Sequence, residues 1–144
     1  MSVIIRDTKT EDFNDVMVLF GQLWPNKELH PEDMSVVYKR GIQSETDKYI
    51  CAEENGKVIG FCALAIVNNF WQEGRIAYCY SMVVDETYRG CGIGKSILEK
   101  AFVTAKVLGC KKLELDSGFQ REGAHKFYEK MGFEKRAYLF SKQL

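Results

Sequence analysis

Between Val83 and Ala101 the chain reads VVDETYRGCGIGKSILEKA: an apolar run suited to the end of a strand, glycines at 90, 92 and 94, then an apolar stripe at helical spacing. Alternate glycines free the backbone for turns that a Cβ would forbid, and they bare the amides for close approach. The helix that follows turns its unpaired N–H groups and the positive end of its dipole toward the same place. Strand, bare turn and helix start together make a seat for an anion, and a phosphate is the natural occupant. Any fold for this chain must therefore put a strand directly before the turn and a long helix directly after it.

Spacing separates the phosphate loops that compete for this segment. A Walker A loop needs a glycine five residues before Gly94-Lys95-Ser96, and that position is Arg89. A dinucleotide fingerprint starting at Gly90 needs its third glycine at position 95, which is Lys95. It would also follow the first strand of a parallel βαβ array. A loop that merely turns a corner needs only one or two glycines. What stands is Arg89-Gly90-Cys91-Gly92-Ile93-Gly94, an R-x-x-G-x-G segment.

The rest of the chain supplies its surroundings. Val3 to Arg6 reads as a strand, and Thr8 with Glu11 has the spacing of a capping box. Phe13, Val16, Met17, Phe20, Leu23 and Trp24 give an amphipathic helix over Thr10 to Leu23, stopped by Pro25. Pro31 opens a second helix through Ile42. Tyr49 to Glu53, Val58 to Val67 and Arg75 to Val84 are rich in branched and aromatic residues, and Asn55-Gly56 marks a tight hairpin between the first two. An antiparallel meander thus leads into the glycine turn. After it come a helix from Ile93 to Leu108 ended by Gly109, a strand over Lys112 to Asp116, a short helix around Ala124 to Met131 ended by Gly132, and a final strand over Lys135 to Lys142.

At this point the chain resembles a known family. The R-x-x-G-x-G segment is similar to the acyl-CoA pyrophosphate loop of the GCN5-related N-acetyltransferases (GNAT), and Phe127-Tyr128-Glu129-Lys130-Met131-Gly132-Phe133 resembles that family's F-Y-x-x-x-G-F motif. The two lie 33 positions apart from Gly94 to Phe127, and the likeness extends over nearly the whole chain in element order. It implies one domain over residues 1–144 with an α/β architecture of the α+β type: a mixed, mostly antiparallel sheet with splayed central strands, flanked by helices.

The resemblance also implies a reaction: acetyl transfer from acetyl-CoA to a primary amine by direct attack in a ternary complex, with no metal. Amides from Gly90, Cys91, Gly92, Ile93, Gly94 and Lys95 would hold the diphosphate, with charge from Arg89 and Lys95, and the main chain of Met82, Val83 and Val84 would pair with the pantetheine arm. Tyr128 takes the position of the general acid. Where many relatives carry a basic glutamate this chain has Tyr80, which either relays a proton through water or lines the acceptor pocket; Glu73, Asp116 and His125 are further candidates. Acceptor pockets in this family form between the first two helices and on the hairpin before the motif strand. Those segments hold Trp24, Glu28, Trp71 and Glu73, suited to a cationic amine through charge and cation–π contact. Leu23-Trp24-Pro25 is also similar to a stretch of some aminoglycoside 6′-N-acetyltransferases. The rival readings are a non-catalytic acyl-CoA sensor that has lost turnover and an acetyltransferase of protein N-termini or lysines.

Bulk properties favour a small-molecule acceptor. Twenty basic and twenty acidic side chains balance to zero formal charge in 144 residues, so nothing draws the whole chain to nucleic acid or an anionic membrane. The five cysteines are scattered, the nearest pair, Cys51 and Cys62, being 11 positions apart, which fits neither a zinc pair nor a disulfide framework. Free thiols and a start without a targeting pattern lead us to expect a cytoplasmic protein. The apolar final strand is compatible with a homodimer.

Overall fold

Two consecutive left-handed residues, Asn55 at φ 51° and Gly56 at φ 80°, fold strand β2 (Asp47–Glu54) back onto β3 (Lys57–Asn69). Such a turn matches the twist of the strands it joins, which is why Asn-Gly occurs there. In the computed structural model, which describes residues 2–144, β1 (Val3–Asp7) pairs antiparallel with β2, and β4 (Gly74–Val84) pairs antiparallel with β3. Helix α3 (Ile93–Val107) then carries the chain to β5 (Cys110–Leu115), giving the sheet order β1-β2-β3-β4-β5. Lys111 at the start of β5 donates to the Glu73 carbonyl beside the start of β4, so the two strands run in the same direction and the sheet is mixed.

The chain groups into two compact units, one ending at Glu114 and the other comprising residues 115–144. In the first, seven consecutive β3 residues from Val58 to Leu64 are buried, the mark of a strand covered on both faces. On one face Phe61, Tyr49, Cys51 and Val83 pack with Val16, Leu19 and Phe20 of α1 (Phe13–Leu23) and with Tyr38 of α2 (Pro31–Gln43). On the other, Gly60 seats α3: a Cβ there would lie 2.7 Å from Ile97 Cδ1. Further along α3, Ala105 packs with Ile66 and Ala77.

The second unit holds α4 (Glu122–Lys130) and shows why glycine and phenylalanine follow it. Gly132, at φ 94°, donates its N–H to Glu129 and Phe133 donates to Tyr128, 3.1 and 3.0 Å away. This pair of reversed bonds is a Schellman cap, and its apolar clasp is the Tyr128–Phe133 ring contact at 5.7 Å.

Two local expectations are corrected. The first helix opens with a 3₁₀ turn over Thr10–Asp12, and Asp12 rather than Glu11 accepts the returning N–H, from Lys9 at 2.7 Å. Thr8 does not cap; its N–H donates to the Tyr49 carbonyl. The strand expected over 135–142 is absent: no residue from 133 to 144 belongs to a helix or strand. A strand exists only with a partner, and its composition alone does not supply one.

Candidate active site

The approach to the glycine turn is pinned from several sides. Asp85 is buried and accepts from the Thr87 N–H at 2.9 Å, the Thr87 hydroxyl at 2.7 Å and Gln22 at 3.4 Å. Burial pushes its pKa up, but those donors together outweigh burial and hold it below the usual carboxylate value. Gln22 also accepts the Glu86 N–H at 2.9 Å, and the Tyr88 hydroxyl donates to Glu54 at 2.6 Å. Gly90 and Gly92 both sit at φ 80°, and a Cβ at either would meet nothing within 4 Å. The glycines are needed for backbone conformation, not for space.

Gly92 directly precedes α3, whose first helical bond runs from the Ser96 N–H to the Gly92 carbonyl at 3.1 Å. The N–H groups of Ile93, Gly94 and Lys95 come before that bond and have no intrahelical acceptor. Most helices satisfy such donors with a capping side chain or an acid in the first turn. This helix has neither. Ile93 is buried and anchors the turn, while Arg89, Gly90, Cys91, Gly92 and Lys95 are exposed. Lys95 makes only a surface pair with Glu99 at 3.9 Å. These residues therefore fit a diphosphate: bare main-chain donors, two cations at the rim and no competing carboxylate in the helix's first turn.

A second feature lies on the strand before the turn. The β3–β4 ladder pairs Ala63 with Ser81 and then Leu64 with Cys79, so Tyr80 is the extra residue of a β-bulge. Bulges re-aim a side chain, and Tyr80 reaches across β3 to β2. Its hydroxyl donates to Asp47 Oδ2 at 2.5 Å and meets the Tyr49 hydroxyl at 2.9 Å. The β3 residues opposite Asp47 and Tyr49 are Ala65 and Ala63, small enough to leave the crossing open. The other Asp47 oxygen accepts from Ser44 at 3.0 Å. Burial, then the bond to Asp47, drives the Tyr80 pKa well above the ordinary phenol value, and burial raises Tyr49 as well. Tyr80 is therefore a neutral hydroxyl tied to a carboxylate. Asp47 went unrecognised in the sequence because it is 33 residues from Tyr80 and no local pattern joins them.

The other expected residues divide. Val83 is buried in the core cluster, with Met82 and Val84 half-buried beside it, so the side chains at this end of β4 are largely committed to packing. Trp71 and Glu73 sit at the exposed β3–β4 hairpin tip, Trp71 at 82% and Glu73 at φ 54°. Six residues of strand, about 20 Å, separate that tip from Tyr80. The structure thus does not bring them to the bulge. Trp24 ends α1, stacked on Phe20 at 5.2 Å, and Glu28 is exposed in the following loop. In the second unit Tyr128 is buried in α4, Asp116 is exposed, and His125 Nε2 bonds the Gly118 carbonyl at 2.8 Å.

Comparison with known proteins gives this arrangement a context. The chain is 33% identical over 101 residues to an uncharacterised N-acetyltransferase of Methanocaldococcus jannaschii, a match covering 69% of this chain and 44% of that protein. It is 28% identical over 140 residues to an aminoalkylphosphonate N-acetyltransferase of Salmonella typhimurium, covering 97% of this chain and 90% of the relative. Among solved structures, a putative acetyltransferase from Agrobacterium tumefaciens superposes with a TM-score of 0.87 at 26% identity, covering 98% of this chain and 99% of that one. The model of the acetyltransferase (GNAT) family matches residues 13–133, and the chain belongs to that family.

Proposed function

We propose that this protein transfers an acetyl group from acetyl-CoA to the primary amine of a small cationic molecule, directly and within a ternary complex. The observation that carries the reading is the uncapped start of α3 behind two left-handed glycines. Acetyl-CoA supplies an acetyl group activated as a thioester. The Ile93, Gly94 and Lys95 amides hold its diphosphate, with Arg89 and Lys95 adding charge at the rim. The main chain of Met82 to Val84, on the β4 edge turned toward β5, orients the pantetheine arm.

The acceptor must lose a proton before attack, because an alkyl ammonium has a pKa of about 10.4. Tyr80 takes that proton on its hydroxyl oxygen as its own passes to Asp47, so a phenol relays and a carboxylate ends as the acid. Ser44 and Tyr49 hold the pair in line. Tyr128 donates the proton that the departing sulfur requires. A small amine fits the absence of overall charge, and the Salmonella relative, by its name, acts on an aminoalkylphosphonate.

The test is thiol release from acetyl-CoA against a panel of small amines, aminoalkylphosphonates, aminosugars and polyamines among them, with lysine peptides alongside. Release with a small amine supports the reading. Thermal stabilisation by acetyl-CoA without release on any acceptor favours a sensor, and release on peptides alone favours a protein acetyltransferase.

A further inference from the structure

Between the end of β4 and the glycine segment, residues Glu86–Tyr88 form a 3₁₀ turn, and Arg89 and Gly90 follow it directly. Such a turn is short and its hydrogen-bond geometry is poor, so its shape depends on what holds it from outside. Asp85 caps it from within, one carboxylate oxygen accepting from both the N–H and the hydroxyl of Thr87. The Glu86 N–H comes too early in the turn for an internal acceptor. Gln22, 64 positions back on α1, accepts it at 2.9 Å, and the same side chain donates to the second Asp85 oxygen at 3.4 Å.

A carboxamide serves both partners. A main-chain N–H only donates and a carboxylate only accepts, so the group between them needs an acceptor and a donor. Glutamate would set two carboxylates against each other, and lysine would offer Glu86 nothing. Gln22 reaches out from a firm base, because Leu19 and Phe20 of the same helix are buried and Phe20 packs edge-on against Phe61 of β3. The turn is fixed elsewhere as well: the Asp85 N–H donates to the Ile59 carbonyl at 2.8 Å, and the Tyr88 hydroxyl donates to Glu54 at 2.6 Å. Gln22 alone among these contacts joins two consecutive residues of the approach to a helix.

We propose that Gln22 is a positioning residue for acetyl-CoA, acting through residues 85–88 to keep the glycine turn in its binding shape before the diphosphate arrives. The inference rests on the acetyl-transfer reading and extends it by giving α1 a part in cofactor affinity. A ligand that meets a preformed turn is spared the cost of ordering it. With the turn released, only the competent fraction binds, and the apparent Kd rises in inverse proportion to that fraction. Once the cofactor is bound the turn is in place, so turnover at saturation is unaffected.

Gln22→Met, which keeps the length of the side chain and removes both bonds, tests this by calorimetry with acetyl-CoA and with 3′,5′-ADP, by steady-state kinetics and by amide hydrogen exchange. We expect Kd for both ligands to rise about fivefold. KM for acetyl-CoA should rise with it while kcat stays within about twofold of the parent. The Glu86 amide should exchange faster, and β2 and β3 should stay as protected as in the parent, reporting an intact fold. Gln22→Glu, equal in size, should bind more weakly too, because its carboxylate faces Asp85. Should Gln22→Met lose protection in β2 and β3, the same readings on Gln22→Glu decide. An unchanged Kd in a folded variant overturns the proposal, as does a fall in kcat with KM unchanged. A parent that binds neither ligand overturns the acetyl-CoA reading and the positioning role with it, so the parent alone tells the two failures apart.

Discussion

The two ends of β4 carry opposite instructions. At its start the chain crosses an open hairpin tip with Phe70 and Trp71 in solvent and a non-glycine residue, Glu73, in the left-handed region. At its end Val83 is buried, Asp85 is held by three donors, and the backbone is delivered to an uncapped helix. Between them the ladder slips by one residue and throws Tyr80 onto Asp47. Aromatic and acidic side chains alone do not make a site: both ends have them, but only the second end also has pinned main chain and unspent donors.

That contrast can be broken experimentally, beginning where the effect is largest. Tyr128→Phe should lower kcat by about 10²-fold or more in steady-state assays while acetyl-CoA affinity is nearly unchanged. Asp47→Asn should lower kcat by about 10²-fold in the same assays, and Tyr80→Phe should do the same. A purely structural role for the pair would show as lost stability in denaturant titrations with kcat nearly unchanged. Gly92→Ala forces a Cβ into the φ 80° position, a strain of about 1–2 kcal/mol, and should weaken acetyl-CoA binding by roughly tenfold in calorimetry.

Asp85 gives a smaller effect with a defined sign. Its folded pKa is depressed, so the stability it contributes is complete above the unfolded value of about 3.9 and is lost as pH falls through the folded value. Asp85→Asn should flatten that acid limb in denaturant titrations and cost about 1 kcal/mol at neutral pH. Trp71→Ala, at the other end of β4, should change both stability and kcat/KM by less than about 0.5 kcal/mol. A larger kinetic loss there would make the hairpin tip an acceptor-binding element and erase the contrast.

The sequence made legible whatever is written in neighbouring residues. The Asn55-Gly56 hairpin, the stripe of α3 and the Gly132 cap each rest on a few adjacent side chains whose physics is local. Of the candidate site, the glycine turn was legible for the same reason. Asp47 was not, because the residue that recruits it lies two strands away and is aimed by a bulge that no single-strand pattern records. Trp71 and Glu73 read as acceptor residues by composition, yet strand length alone carries them about 20 Å from the bulge. The last strand failed for the most instructive reason: residues 135–142 have strand chemistry, but a ladder is a property of two segments, and composition records only one of them.

The central claim is that main-chain donors at the start of α3 hold the diphosphate of acetyl-CoA. Backbone amide resonances of the assigned protein, followed during titration with acetyl-CoA and separately with 3′,5′-ADP, measure this directly. The account predicts saturable shifts largest at Gly90, Gly92, Ile93, Gly94 and Lys95 with either ligand, extending to Met82 through Val84 only when the pantetheine arm is present. Saturable binding that leaves the 90–95 amides unmoved, or that centres on the 69–74 hairpin, would contradict it.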